Sequence, residues 1–185
     1  MAYDEQTLEQ LQQGAAPAVR FYQWLSPTIS FGRLQKQEHI RDLIPQGWKA
    51  VQRPTGGGIV FHDQDLCVSL CWREGDAPLP TRLKEVYPWI HGIIREALAP
   101  FSDLQMARCD DCQTAETPFQ SRQCFTEPVV FDLLRKGKKV VGGALCRRGD
   151  AFLYQGSIQG YPVHSILPAL TSAFTRCLAS PGSRP

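Results

Sequence analysis

The chain lacks any apolar run that approaches the length of a membrane-spanning helix. It also lacks the positively charged start of a secretory signal, because residues 1–5 include two acids instead. An excess of one charge is missing as well: the formal net charge is +2, and lysine and arginine are scattered rather than clustered. We therefore expect a cytoplasmic protein that binds neither a membrane nor nucleic acid.

Cysteine is present in an odd number, since the sequence holds seven. A complete disulfide framework needs an even number, so the count favours reduced thiols in a cytoplasmic chain. The 185 residues, 43% of them hydrophobic, suffice for one sizeable core. No internal repeat or linker divides them, and we predict one domain over residues 1–185.

Hydrophobic periodicity predicts a chain with more strands than helices. Several strands are joined by turns too short for a parallel crossover, which predicts an α+β fold with a mixed, mostly antiparallel sheet and packed helices. Residues 101–123 are polar and irregular, which predicts a long loop. The predicted helices are 2–13, 37–44, 82–99 and 167–179, and the predicted strands are 18–25, 28–31, 49–53, 59–62, 66–72, 129–134, 139–145 and 152–158.

Three consecutive glycines lie between two predicted strands in the segment Arg-Pro-Thr-Gly-Gly-Gly-Ile-Val-Phe-His-Asp, residues 53–63. Such glycines permit positive φ or let a ligand approach backbone N–H groups, so the segment is either a tight hairpin turn or a binding loop. The flanking Arg53, His62 and Asp63 favour a binding loop. Its spacing matches neither a phosphate-binding P-loop nor a dinucleotide-binding loop.

The same segment resembles the signature loop of lipoate-protein ligases and octanoyltransferases. The resemblance continues through further motifs in the right order and covers residues 2 to about 158. It implies the α+β catalytic-domain fold that this family shares with biotin protein ligases. The further motifs are Ala-Tyr-Asp-Glu at 2–5, Arg-Phe-Tyr-Gln-Trp at 20–24, Thr-Ile-Ser-Phe-Gly-Arg-Leu-Gln at 28–35, Gly-Lys-Lys-Val-Val-Gly-Gly-Ala at 137–144 and Gln-Gly-Ser-Ile at 155–158.

The resemblance also implies which residues form an acyl-binding site. Lys139 is similar to the family's central lysine, which contacts the acyl carbonyl or the activated acid. A positive charge in a water-poor pocket stabilises the oxygen charge that develops during acyl transfer. His62 is a candidate for assisting proton transfer. The implied acyl-binding residues are Arg53, Gly56, Gly57, Gly58, His62, Gly142, Gly143 and Ala144.

Cys124 indicates which chemical branch of the family the chain resembles. It begins the segment Cys-Phe-Thr-Glu-Pro, which is similar to the Cys-Phe-x-x-Pro segment of an octanoyltransferase branch in which the cysteine is the nucleophile. A nearby cation such as Lys139 would increase the reactive thiolate fraction. We therefore predict transfer of an octanoyl or lipoyl group through a Cys124 thioester, with no cofactor and no metal.

The partners implied by this chemistry are the proteins that donate and accept the acyl group. The donor would be octanoyl acyl carrier protein, and the acceptor would be a lysine of a lipoyl-domain or glycine-cleavage carrier protein. An acyl carrier protein is acidic, so its docking surface on this chain should be basic. The candidate residues for that surface are Lys136, Lys138, Arg147 and Arg148.

Three alternatives remain at this point. The chain could be the catalytic domain of an ATP-dependent lipoate-protein ligase, although it lacks the Asn-Asp pair typical of ligases near Cys124. It could also be a non-catalytic protein that binds a lipoyl domain or a fatty acid. Finally, Cys109 and Cys112 have the spacing of zinc ligands and could form a structural site with Cys124 or Cys146.

The sequence departs from the family pattern at four positions. Gly143 and Leu145 stand where Ser and Gln are usual, and Tyr154 and Gln155 stand where Gln and His are usual. These departures bear on substrate preference. The resemblance also predicts that residues 1–185 lack the family's first strand and any C-terminal accessory domain, which favours the transferase over the ligase.

Overall fold

The computed structural model of the chain describes residues 1–76, 78–108 and 123–179. None of the helices in these ranges is both long and apolar enough to cross a membrane. The helices are α1 (Ala2–Gln12), α2 (Gln37–Ile40), α3 (Leu83–Leu98) and α4 (Val163–Ala179), with a 3₁₀ helix at Arg41–Leu43. The strands are β1 (Ala18–Tyr22), β2 (Thr28–Phe31), β3 (Lys49–Gln52), β4 (Val60–His62), β5 (Leu66–Arg73), β6 (Gln105–Met106), β7 (Leu133–Arg135), β8 (Lys138–Arg148) and β9 (Ala151–Ile158).

The larger sheet has six strands in the order β1-β5-β9-β8-β7-β6, and every neighbouring pair is antiparallel. Successive side chains of a strand face opposite sides of the sheet. One face buries Trp72 and Phe152 with residues of α3 and α4 in the main core. The other face packs Leu153 against α1 and presents Gln155 and Ser157 to a cleft.

The smaller sheet determines the path of the glycine loop. Its strand order is β3-β2-β4, so β2 lies between the two strands that the loop connects. Strand β2 runs parallel to β3 and antiparallel to β4. The loop therefore crosses the end of β2, and the alternative of a tight hairpin turn is wrong. A Cβ on Gly32, the residue after β2, would overlap the carbonyl oxygen of Gly57, so the loop passes directly over this glycine.

The predicted α+β fold with a mostly antiparallel sheet is confirmed, but the predicted start of the last helix is wrong. Helix α4 begins at Val163 instead of 167, and Pro168 lies inside it. A proline there removes one backbone hydrogen bond. Burial of the helix's apolar side chains, Ile166 and Leu170 among them, offsets that loss.

Two predicted strands also end or begin elsewhere. The predicted strand 18–25 ends at Tyr22, whose partner Cys67 lies at the start of β5, so there is no further strand to pair with. The predicted strand 129–134 begins only at Leu133, because the positive φ of 76° at Phe131 interrupts the extended backbone. The short strand β6, inside the predicted loop 101–123, was missed.

Candidate functional site

A cleft opens between the glycine loop and strands β8 and β9, with roughly 450 Å³ of space that is partly open to solvent. The adjacent loop consists of Gly56, Gly57 and Gly58, and it contacts Arg53 and Cys124 of the cleft lining. The predicted site residues that line the cleft are Arg53, His62, Cys124, Lys139, Gly142, Gly143 and Ala144.

The Cys124 sulfur lies against the backbone of the glycine loop. The Gly58 N–H donates a hydrogen bond to Cys124 Sγ at 3.0 Å, across 66 positions of sequence. The Cys124 N–H in turn donates to the Ile59 carbonyl at 2.8 Å. Gly57 has a φ of 87°, which favours glycine, and a Cβ there would lie 3.6 Å from the sulfur. The loop thus brings the Gly58 N–H group to a thiol.

Arg53 is a cation beside this sulfur, and the oxygens of the described residues that accept its hydrogen bonds are neutral. Its guanidinium donates to Ser30 Oγ at 2.7 Å and to the carbonyls of Gly56 at 3.0 Å and Gly58 at 2.7 Å. Burial lowers the pKa of Arg53, while a negative charge on Cys124 acts in the opposite direction. Within the part of the chain that the structure describes, the positive charge is therefore held by neutral oxygens, and it lies beside the position where a thiolate would form.

His62 is hydrogen-bonded at both ring nitrogens. Its Nε2 is 2.6 Å from Ser30 Oγ and its Nδ1 is 2.7 Å from Asp65 Oδ2. Because Arg53 can only donate, Ser30 accepts from it and can donate its own proton to Nε2, which leaves Nδ1–H to donate to Asp65. Burial alone would raise the pKa of Asp65, but the His62 hydrogen bond and charge, then Ser157 and Cys67, hold it below its ordinary value. Neither ring nitrogen is free to serve the Cys124 sulfur.

His62, Asp65 and Cys67 also present three possible metal-ligand atoms within 4.8 Å of one another. Nitrogen, oxygen and sulfur donors suit zinc. However, His62 Nδ1 already donates to Asp65. Burial, followed by the charge of Asp65, raises the pKa of the Cys67 thiol well above its ordinary value. These groups satisfy one another by hydrogen bonding, and we assign no metal to them.

The cysteines of the zinc alternative are not grouped among the described residues. Cys109 and Cys112 lie outside those residues. Cys146 is buried in an apolar cluster that includes Leu8 of α1. Cys124, by contrast, lines the cleft beside polar groups. The two candidate third ligands therefore have different surroundings.

Lys139 forms a buried ion pair with Asp132 at the other side of the cleft. Lys139 Nζ is 2.7 Å from Asp132 Oδ2, and the two side chains are 5% and 3% exposed. Burial raises the pKa of Asp132, and the Lys139 ammonium acts in the opposite direction. A Cβ on Gly142 would overlap the Lys139 side chain, so this glycine makes room for the lysine. The ammonium also lies 5.2 Å from the centre of the Phe125 ring.

Two residues of β9 that differ from the family pattern, Tyr154 and Gln155, face opposite sides of the sheet. Gln155 lines the cleft, where Thr55 donates to its Oε1 at 2.8 Å and its Nε2 donates to Asp4 at 2.6 Å. Tyr154 belongs to the main core on the other face. A Cβ on Gly143 would overlap the Tyr154 ring, which explains why this ring and a glycine occur together.

Three residues with defined contacts in the site were missed in the sequence: Ser30, Asp65 and Asp132. Asp132 had the clearest signal, because it is the single acid in the apolar run Val-Val-Phe-Asp-Leu-Leu. A carboxylate in such a run is expected to be buried and paired. Asp65 follows His62 by three residues, a weaker signal. Nothing local distinguishes Ser30, since its role depends on the strand that lies beside it.

The four predicted docking residues are not one surface. Lys136 and Lys138 are exposed at the β7–β8 turn, next to Lys139. Arg147 and Arg148 are at the other end of β8, roughly 30 Å away along the strand. They are also paired with acids, at 2.6 Å to Glu74 and 3.3 Å to Glu5 respectively. The two pairs therefore belong to different surfaces.

The fold and the cleft define a class of protein: α+β domains in which a glycine loop closes a cleft lined by a buried lysine and a thiol. The chain belongs to the lipoyl protein ligase A/B catalytic domain family, whose model matches residues 1–165. This confirms the resemblance seen in the motifs.

Individual relatives agree with this assignment. A protein of Oceanobacillus iheyensis named octanoyltransferase LipM is 34% identical over 165 residues, with 85% of this chain and 58% of its own length covered. Its namesake in Brevibacillus brevis is 33% identical over 167 residues, with 85% and 60% covered. The chain thus spans 58–60% of the length of these two relatives.

Solved structures support the fold. Protein Ta0514 of T. acidophilum matches with a TM-score of 0.74 at 20% identity, and the match covers 96% of this chain and 78% of that one. Lipoate-protein ligase A bound with ATP matches with a TM-score of 0.70 at 18% identity, with the same coverage. At these identities the likeness concerns the fold alone.

Proposed function

We propose that the chain transfers an octanoyl or lipoyl group from acyl carrier protein to a lysine of a lipoyl-domain or glycine-cleavage carrier protein, through a thioester on Cys124. The observation that carries this proposal is the Cys124 sulfur, which lines the cleft and accepts the Gly58 N–H at 3.0 Å. The name octanoyltransferase, borne by relatives about one-third identical, supports the same chemistry.

The reaction has two steps, and each is a nucleophilic substitution at the carbonyl carbon of a thioester, with a thiolate as the leaving group. The Cys124 thiolate first attacks the carbonyl carbon of the octanoyl thioester, the bond from that carbon to the carrier sulfur breaks, and the carrier thiolate takes a proton from water. The amine of the acceptor lysine then attacks the Cys124 thioester. The carbon–sulfur bond breaks, Cys124 returns as a thiolate, and the nitrogen loses a proton as the amide forms.

In this mechanism the two cations of the cleft have separate roles. The contacts of Arg53 support a role beside the Cys124 thiolate, which differs from the sequence-based expectation that Lys139 would be that cation. Lys139 is committed to Asp132 by an ion pair of 2.7 Å. We assign it to the acyl carbonyl oxygen, where a preorganised N–H donor stabilises the charge of the tetrahedral intermediate.

The proposal extends to location and to the donor protein. A thiol nucleophile must stay reduced, which fits the cytoplasm. For the acidic donor we propose docking at Lys136 and Lys138, because both are exposed at the end of β8 that carries Lys139. Arg147 and Arg148 are assigned no part in docking, since their charges are already paired with acids.

The test is intact-mass spectrometry after incubation with octanoyl acyl carrier protein and without ATP. The wild type should gain one octanoyl group, and Cys124→Ser should gain none. Cys67→Ser is the matched control, because Cys67 also lines the cleft but is buried against Asp65. This control should gain the octanoyl group as the wild type does.

Other outcomes would support other functions. An adduct that persists in Cys124→Ser and disappears in Cys67→Ser would mean that Cys67 carries the thioester, and the proposed role of Cys124 would be wrong. If no adduct forms and the protein instead makes an adenylate from ATP and lipoate, the chain is the catalytic domain of a ligase. If neither occurs but the protein binds a lipoyl domain or a fatty acid tightly, the non-catalytic alternative is correct.

A further inference from the structure

A fully buried histidine on α3 connects two parts of the structure behind Lys139. His91 Nδ1 is 2.6 Å from the Phe131 carbonyl oxygen, and His91 Nε2 is 2.7 Å from the Tyr154 hydroxyl. A carbonyl oxygen can only accept, so Nδ1 carries the proton and Nε2 accepts from the tyrosine. Burial lowers the pKa of His91 to about 4, and the charge of Lys139 acts in the same direction. The ring is therefore neutral at pH 7, with both nitrogens hydrogen-bonded.

The residue at the end of this bridge has a strained backbone. Phe131 has a φ of 76°, in the left-handed region that residues with a Cβ rarely adopt. Its N–H donates to the Ala107 carbonyl at 2.9 Å, and its own carbonyl accepts from His91. Both polar groups of the residue are thus held. Such strain persists only where the surroundings enforce it, and it is concentrated at functional sites.

The strained residue directly precedes Asp132. The Asp132 carboxylate lies 2.7 Å from Lys139 Nζ and accepts the Val129 N–H at 2.7 Å. The next residue, Leu133, begins β7. A left-handed residue at this point changes the direction of the chain before the strand, and the conformation of Phe131 therefore determines where the Asp132 side chain points.

The Tyr154 hydroxyl has little freedom to move. A Cβ on Gly143 or on Gly156 would overlap the Tyr154 ring, so the ring lies directly over these two glycines of β8 and β9. The ring is also fully buried. The sheet thus fixes the position of the hydroxyl, the hydroxyl fixes the orientation of the His91 ring, and the ring fixes the Phe131 carbonyl.

We propose that His91 and Tyr154 are positioning residues for the lysine of the cleft: they hold Phe131 in its left-handed conformation and thereby keep the Asp132 carboxylate on Lys139. The part of Lys139 in acyl transfer rests on the function proposed above, whereas the positioning itself does not. A bridge that served only to satisfy a buried histidine would not need to end on a strained residue that precedes the partner of Lys139.

The first test is the reactivity of Lys139 in Tyr154→Phe, which removes the hydroxyl and keeps the ring. Lysines are labelled by reductive methylation and quantified by peptide mass spectrometry, with the exposed Lys49 as internal reference. Loss of one buried hydrogen bond should raise the labelling of Lys139 relative to Lys49 by about fivefold. The matched control is Tyr161→Phe, which removes a buried hydroxyl bonded to Ser102 and should leave the ratio unchanged.

The second test is rescue. Glycine adopts positive φ without strain, so Phe131→Gly no longer depends on the bridge to hold its backbone. In the Tyr154→Phe background, Phe131→Gly should return the labelling of Lys139 towards the wild-type level. The proposal is overturned if Tyr154→Phe leaves the Lys139 ratio unchanged, or if Phe131→Gly increases it further, because the bridge would then not act through Phe131.

Transfer assays separate this proposal from the proposed function. If Cys124 forms the octanoyl thioester, Tyr154→Phe should slow its formation about fivefold with an unchanged KM for the donor, and the effect should disappear in the Asp132→Asn background. If no thioester forms in any variant but the labelling of Lys139 still follows the predicted pattern, the proposed function fails and the positioning role stands. If the wild type transfers the octanoyl group but Tyr154→Phe leaves the labelling of Lys139 unchanged, the proposed function stands and the positioning role fails.

Discussion

Among the described residues, two buried cations line the cleft, Arg53 and Lys139, and they differ in the kind of partner that holds them. Arg53 donates to three neutral oxygens, from one hydroxyl and two carbonyls. Lys139 is paired with the Asp132 carboxylate. The Arg53 side therefore keeps a net positive charge next to the Cys124 sulfur, while the Lys139 side is close to neutral. Both side chains are buried, but their different partners create two different electrostatic environments within one cleft.

The groups behind the two cations are arranged in opposite order. Behind Arg53 the Ser30 hydroxyl and the His62 imidazole come first, and the anion Asp65 follows. Behind Lys139 the anion Asp132 comes first, and the neutral His91 follows through the Phe131 backbone. The distance of the anion decides how much of each positive charge remains available in the cleft, because charge interactions weaken with separation.

The largest expected effect tests whether Lys139 needs its carboxylate. Asp132→Asn leaves a buried ammonium without a counter-ion and should lower the free energy of unfolding by about 3–5 kcal/mol. Urea denaturation measures the change. The double variant Asp132→Asn with Lys139→Met removes the charge and should recover most of the loss. A change below about 1 kcal/mol in the single variant would mean that Lys139, like Arg53, is stable without an anion.

The second-largest expected effect is on the pH dependence of stability, which should differ between the Lys139 side and the Arg53 side of the cleft. The folded-state pKa of His91, about 4, lies below its ordinary value of 6.5, so the unfolded chain binds the proton first as pH falls. The stability associated with neutral His91 is complete above pH 6.5 and is lost as pH falls towards 4, by on the order of 3 kcal/mol. His91→Gln should flatten this part of the stability profile. His164→Gln, at an exposed histidine, should not.

The Arg53 side should respond to acid in a lower range. The folded-state pKa of Asp65 lies below its ordinary value of 3.8. The stability that its hydrogen bonds provide is therefore present above pH 3.8 and is lost only as pH falls through the lower folded-state value. If His91→Gln leaves the profile between pH 4 and 6.5 unchanged, the neutral histidine behind Lys139 does not govern this range.

The third effect tests which cation supports the sulfur. Arg53→Met removes the charge beside Cys124 and should slow its alkylation by iodoacetamide at pH 7 about tenfold, which corresponds to about 1.4 kcal/mol of lost charge stabilisation. Lys139→Met is the control and should slow it less than about twofold, because that charge is already paired. Alkylation is followed by peptide mass spectrometry at Cys124. A larger effect of Lys139→Met would reverse the comparison and restore Lys139 as the supporting cation.

The smallest effect concerns charges outside the cleft. Charge reversal at Lys136 and Lys138 should weaken binding of octanoyl acyl carrier protein about threefold, with a smaller effect at high salt. Reversal at Arg147 and Arg148 is the matched control and should leave carrier affinity unchanged. Titration by fluorescence anisotropy measures both. Equal effects from the two pairs would show that the carrier recognises net charge and not the end of β8 next to Lys139.

The fold was largely predictable because its signals are local. Alternating and helical periodicities identified most strands and helices, and the glycine segment indicated a binding loop. The hairpin alternative for that loop could not be rejected from the sequence, because it depends on β2 lying between β3 and β4. The start of α4 was predicted wrongly: the helix begins at Val163 with Pro168 inside it, because tertiary packing outweighs the backbone hydrogen bond that the proline removes.

The sequence by itself determined most of the secondary structure, the family and most of the residue types that meet in the cleft, since each is encoded in patterns of a few neighbouring positions. Only the tertiary structure decided that Arg53 lies beside Cys124, and that Asp132 holds Lys139. The physical reason is that these contacts join distant positions: Cys124 and Gly58 are 66 positions apart, and Thr55 and Gln155 are 100 positions apart. Strand order and register bring each pair together. Strand order and register are properties of the whole sheet.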